Sequence, residues 1–257
     1  MLDQDLETSL RAALRGDVLT AGDADYEAAR RVYNGMIDLR PRLIARCADV
    51  ADVIAAVGFG RDQGLPIAIR GGGHNGAGFA SVEDGLVVDL SAMRGVRVDP
   101  EARTVRVGPG CTQGDVDHAA AAFGLAFPAG IYSGTGIAGL TLGGGHGYLS
   151  RKHGLTVDNL IEADVVLADG SFVTASADSH PELFWALRGG GGNFGVVTSF
   201  LFRAHPVGKV FAGPIAYDVA EAKRLMRRYR DWLPGSPEDL CVFLGLKRVP
   251  SADPFPP

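Results

Sequence analysis

Glycine is spread so unevenly along this chain that its placement limits the fold more than any other feature. The 257 residues hold 36 glycines, and half of these sit in three short windows. Residues 71–78 hold five, residues 130–147 hold eight and residues 189–195 hold five. No Gly-X-Y period is present, so a collagen-like rod is excluded. Each window is flanked by apolar sequence with strand or helix spacing, which makes it punctuation inside a folded unit and not a flexible linker. Glycine is favoured where main chain takes positive φ or approaches a partner closely. Several such places in one unit imply a large ligand wrapped by bare peptide groups.

The sequence around the windows mixes helices with hairpins. Helical spacing covers residues 4–15 and 24–36, and Leu43 to Ala45 reads as a short strand. Asp49 to Gln63 has Val50, Val53, Ile54 and Val57 on one face and reads as an amphipathic helix. Strands follow at Pro66 to Arg70 and Leu86 to Leu90, then a hairpin over residues 96–107 and a helix from Thr112 to Ala122. A second hairpin spans Ile161 to Ala175, turning at Asp169-Gly170. A short helix covers Pro181 to Leu187, and Gly195 to Phe202 reads as a strand. Beyond Val207 the texture changes to a strand (Val210 to Tyr217), a basic helix (Val219 to Leu233) and a last strand (Leu240 to Leu246). Without a regular βαβ alternation the expected class is α+β.

Charge and cysteine usage exclude several functions. The net charge of −5 argues against a nucleic-acid binder, and the arginines of residues 219–233 read as a solvated face. Cys47, Cys111 and Cys241 are odd in number and far apart, so no disulfide framework or CxxC zinc site is expected. The stretch from Ala119 to Ser150 lacks Asp, Glu, Lys and Arg, but its nine glycines and one proline argue for buried loop and short elements, not a membrane helix. The acidic N-terminus has no apolar signal core, so a cytoplasmic location is the default.

Two motifs carry chemistry. Gly134-Thr-Gly136-Ile-Ala-Gly139 matches GxGxxG, but a dinucleotide fingerprint needs a strand before it and an acidic residue about 20 positions on. FPAGIYS is a poor strand, and Asp158 lies in a different-looking loop. A nicotinamide-dependent dehydrogenase is therefore the weaker reading. The first window is more specific: a strand delivers Arg70, then Gly71, Gly72 and Gly73, then His74 and Asn75. Consecutive amides without side chains form an anion nest suited to a pyrophosphate, and Arg70 adds charge nearby. His146 and His153 complete no metal set. Asp158-Asn159 either orders a loop beside the ligand or caps local turns.

Four segments in order are RGGGHN (70–75), TGIAGLTLGGGHG (135–147), LSRKHGLTVDNL (149–160) and LFWALRGGGGNFGVVT (183–198). As a set they resemble the PCMH-type FAD-binding domain of the vanillyl-alcohol oxidase superfamily, within it the berberine bridge enzyme-like FAD-linked oxidoreductases. The resemblance covers roughly residues 38–208. It implies an N-terminal lead-in over 1–37, an FAD-binding domain of two α+β subdomains over 38–208, and the start of a substrate domain over 209–257. It implies that His74 bonds covalently to the 8α-methyl of the flavin. Gly71, Gly72, Gly73 and Asn75 would donate main-chain N–H groups to the pyrophosphate. Thr135, Gly136, Gly139 and the run Gly143, Gly144, Gly145 would pass the flavin and ribityl-phosphate, and the backbone of Val197 would meet the adenine.

The sequence departs from that family at one position and in length. Tyr132 stands where bicovalent members have a cysteine, so a single linkage through His74 is expected. Thr135 resembles the family's oxygen-gate position; being small and polar, it leans toward an oxidase with O2 as acceptor. The chain also stops soon after a substrate domain would begin, and no catalytic base can be named. The expected activity is hydride transfer from a small organic alcohol, sugar or amine to FAD. The alternative is an FAD-binding module without turnover of its own.

Overall fold

A computed structural model of the chain describes residues 4–247. Helix α1 (Gln4–Ala13) leads into strand β1 (Asp17–Leu19), and a single turn of helix, α2 (Tyr26–Ala29), follows. The helix expected over 24–36 therefore stops after four residues. The Tyr33 N–H donates to Gly73 O at 3.0 Å, so that amide closes a tertiary contact instead of another helical turn. Next come β2 (Leu43–Arg46), helix α3 (Val50–Asp62), β3 (Ile67–Arg70) and β4 (Leu86–Asp89). The four strands form one sheet in the order β1-β2-β4-β3. β4 runs parallel to both β2 and β3, and β1 pairs antiparallel with β2. All four residues of β4 are buried, as expected for a parallel strand covered on both faces. Val53 and Val57 of α3 pack with Leu43, Ala45, Leu86 and Val88 on one face. Tyr26, Ile44 and Val87 close the other.

The second sheet is antiparallel and begins with the hairpin β5 (Val96–Asp99) and β6 (Thr104–Val107). Helix α4 (Gln113–Ala121) follows, opened by a capping box between Thr112 and Asp115. The two-residue strand β7 (Leu125–Ala126) leads into the second glycine window, which hides a short helix, α5 (Ile137–Leu142), and a second, α6 (Ser150–His153), follows just after it. The remaining elements are the hairpin β8 (Leu160–Val166) and β9 (Phe172–Ser176), helix α7 (Pro181–Leu187), β10 (Val196–Arg203) and β11 (His205–Pro206). The strand order is β5-β6-β10-β8-β9, with β11 pairing β7 apart from it. Phe200 and Phe202 of the central strand β10 are fully buried, and Phe202 stacks on Phe127 at 4.3 Å between centroids.

These elements make one compact unit ending at Gly208, and a second begins at Lys209. Within the second unit, α8 (Ala222–Trp232) is flanked by 3-10 turns at Val219–Glu221 and Leu233–Gly235. The strands expected over Val210 to Tyr217 and Leu240 to Leu246 do not form. Among the described residues neither segment pairs with a strand, and an unpaired strand leaves its own amides unsatisfied.

Candidate functional site

Strand β3 ends by releasing a run of main chain with nothing to bond to. Among the described residues, none of the six amides from Gly71 to Gly76 donates to a protein acceptor. Gly73 sits at φ +67°, the left-handed region that turns successive N–H groups toward one side. The Asn75 side chain stabilises the exit: its Oδ1 accepts from the amides of Ala77 (3.0 Å) and Phe79 (3.2 Å). Arg70 requires a correction. It does not add charge to this nest, because its guanidinium turns into the core. Nη2 donates to Asp89 Oδ2 at 2.7 Å and Nη1 to Ala29 O at 2.5 Å, with both charged groups buried. An Arg–Asp pair in that setting locks β3 to β4 and leaves no charge to spare for a ligand.

The second window meets the first main chain to main chain. A Cβ built on Gly72 would lie 2.5 Å from the backbone N of Gly136, and one on Gly136 would lie 2.5 Å from the N and Cα of Gly72. A β-bridge between Thr112 and Gly136 fixes that approach. Gln113 N–H donates to Thr135 O at 2.8 Å, and Ile137 N–H to Cys111 O at 2.9 Å. Gly136 then caps the start of α5, and Gly143 ends it with its N–H on Gly139 O. Apart from the adjoining residues and, for Gly139, the local helix backbone, Gly139 and Gly144 have no protein atom within 4 Å of where a Cβ would stand. Gly145 packs so tightly on Thr156 that a Cβ there would come 2.5 Å from the threonine's own Cβ. The Thr156 hydroxyl is buried and has no hydrogen-bond partner. The third window joins through Gly191, whose N–H donates to Leu142 O at 3.0 Å. Val197 lies on β10 opposite Val165, its side chain in the core and the ladder register shifting directly after it.

His74 stands beside this junction. Its ring stacks on Tyr33 with centroids 4.3 Å apart and planes 15° from parallel. The Tyr132 ring lies 6.0 Å away, tilted by 51°. Both imidazole nitrogens are without a hydrogen bond, so either is available to a ligand. Tyr33 was missed in the sequence; its one signal was the Asn34-Gly35 pair, which breaks the helix and turns the chain toward the first window. The buried thiols offer no second nucleophile: burial pushes Cys47 up to about 12 and Cys111 up to about 11.

Asp158 serves local turns. Its carboxylate accepts from the Leu155 N–H (2.8 Å) and from Arg188 Nη2 (3.2 Å), so it is already engaged. The main chain before Gly134 is irregular, which also denies the GxGxxG match its strand. His205 stacks on His153 at 3.8 Å, and its Nε2 lies 2.7 Å from Asn159 Oδ1. No group of three or more metal-ligating side chains occurs among the described residues, and none of their helices is long and apolar enough to cross a membrane.

The model of the family described as FAD binding domain matches residues 41–176. The chain is 38% identical over 246 residues to (R)-6-hydroxynicotine oxidase of Paenarthrobacter nicotinovorans, covering 93% of this chain and 54% of that protein. It is 40% identical over 200 residues to xylooligosaccharide oxidase of Thermothelomyces thermophilus, covering 77% and 39%. The crystal structure of 6-hydroxy-D-nicotine oxidase from Arthrobacter nicotinovorans superposes with a TM-score of 0.81 at 38% identity, over 86% of this chain and 49% of that one. The chain thus spans about half the length of the relatives it matches.

Proposed function

The chain belongs to the FAD binding domain family, and from that premise we propose that it acts as an FAD-linked oxidase whose cofactor lies across the junction of the glycine windows. The observation that carries this reading is the main-chain contact of Gly72 with Gly136 beneath six unpaired amides. A pyrophosphate would take hydrogen bonds from Gly71, Gly72, Gly73 and Asn75, whose N–H groups have no competing acceptor. Thr135, Gly136, Gly139 and Gly143 to Gly145 would let flavin and ribityl-phosphate approach the backbone, and the buried Thr156 hydroxyl would gain a partner. Val197 would meet the adenine through its main chain. We assign the lead-in to residues 1–37, the cofactor domain to 38–208 and the start of a substrate domain to 209–257.

When bound, FAD supplies a two-electron acceptor for a substrate hydride and passes the electrons to dioxygen. The relatives named for 6-hydroxynicotine and for xylooligosaccharides support an organic amine, alcohol or sugar as the hydride donor. His74 holds the cofactor by one covalent bond from an imidazole nitrogen, in a cytoplasmic protein. Acid precipitation tests the bond: native protein should keep its yellow colour in the pellet, and His74→Ala should release it to the supernatant. Colour in the native supernatant contradicts covalent attachment. Bleaching of the bound flavin by any candidate donor separates an enzyme from a binding module without turnover.

A further inference from the structure

We propose that Tyr33 is the positioning residue for flavin attachment, holding the His74 imidazole in the attitude from which its nitrogen reacts. This rests on the FAD reading above. Nothing polar orients the His74 ring, since neither nitrogen has a hydrogen-bond partner. The residues on either side of it, Gly73 and Asn75, and the glycines at 71, 72 and 76 offer no apolar side chain of their own to hold the ring. Two rings contact the imidazole, and that of Tyr33, stacked at 4.3 Å and 15° from parallel, is nearer and better aligned than that of Tyr132 at 6.0 Å and 51°. Tyr33 is itself held in register with this loop. Its N–H donates to Gly73 O at 3.0 Å, and the neighbouring Asn34 Nδ2 donates to Gly76 O at 2.8 Å. Residues 33 and 34 thus run beside residues 73–76 as a splint. Tyr33 is 68% exposed, so burial of apolar surface explains little of its placement.

Attachment breaks one imidazole N–H bond and one C–H bond of the flavin methyl group, and forms one N–C bond. Two protons go to solvent and two electrons to dioxygen. A misplaced ring slows this step without weakening the nest that holds the pyrophosphate.

Apoprotein of the full chain, made under riboflavin starvation, is mixed with FAD. Affinity is read from flavin fluorescence and attachment from the acid-stable colour over time. Tyr33→Leu should bind FAD within about twofold of wild type yet attach it roughly ten- to a hundredfold more slowly. Tyr33→Phe, which keeps the stacked ring, should restore the wild-type rate. If the leucine variant does not fold, Tyr33→Gln takes its place. Equal attachment rates for Tyr33→Leu and wild type overturn the proposal, as does a Tyr33→Phe variant as slow as Tyr33→Leu. Wild-type protein that binds FAD but releases it all to acid overturns the proposal and leaves FAD binding intact. Failure of every variant and of wild type to bind FAD overturns the reading beneath it.

Discussion

Position 72 shows how much one methyl group can decide. Gly72→Ala puts a Cβ against the backbone of Gly136, where no flexible side chain can move aside. The two windows must part, which we expect to cost about 1–3 kcal/mol and to abolish retention of flavin. Melting curves and the flavin-to-protein ratio check both. Gly139→Ala separates protein demand from ligand demand. Beyond the adjoining residues and the local helix backbone no protein atom lies within 4 Å of the new Cβ, and position 139 is inside α5. Alanine should therefore raise apoprotein stability by about 0.5–1 kcal/mol while weakening FAD binding, measured by melting and by fluorescence titration. A change of the same sign in both would contradict a cofactor at this face. His205 offers a pH test. Burial, then His153 and Arg203, hold its pKa below the ordinary 6.5. Between the two values the unfolded chain binds more protons, so stability is full above pH 6.5 and falls as pH drops toward the folded value. The melting temperature from pH 7.5 to 5 should show that decline, and His205→Gln should flatten it. Arg70 marks the limit of reading single residues from sequence. A cation beside three glycines looks like an anion ligand, and only the folded sheet brings Asp89 alongside to claim it.

Elements were legible where local chemistry and tertiary demand agree. Helix α3 has its cap at Asp49, whose side chain accepts from the amides of Ala51 and Asp52, and its apolar face points at a sheet. Helix α7 starts on Pro181 and ends where the sequence predicted. Helix α5 was hidden because Ile137, Gly139 and Thr141 are weak helix formers; its N-cap, Gly136, packs on Gly72. The expected strands beyond residue 209 had the right composition, but among the described residues they pair with nothing. One residue ties several elements together. Asp52, buried in the first turn of α3, accepts from the amides of Arg15 (2.8 Å), Gly16 (2.9 Å) and Ala48 (2.8 Å). Burial alone would raise its pKa, but the three donors outweigh that and hold it below the usual carboxylate range. Asp52→Asn turns an N–H group toward those donors. It should cost about 1–3 kcal/mol, seen as a lower denaturation midpoint with an unchanged slope.

Across residues 4–208 the two sheets share side chains. Val166 and Val196 of the antiparallel sheet lie in the cluster that holds Leu10, Val53 and Val88 of the parallel one. That shared core holds the first window, on the end of β3, against the second, at the start of α5. The clustering of glycines was readable from sequence, and so was the implication of a wrapped ligand. The pairing of Gly72 with Gly136 was not, because 63 intervening residues must fold before the two meet. Uptake of FAD at this junction is the property on which the proposed function rests. The most direct measurement is the visible absorbance of well-folded full-length protein, as purified and after incubation with FAD and gel filtration. The expected result is a flavin spectrum that travels with the protein. A colourless protein that stays colourless after FAD is supplied would contradict the account.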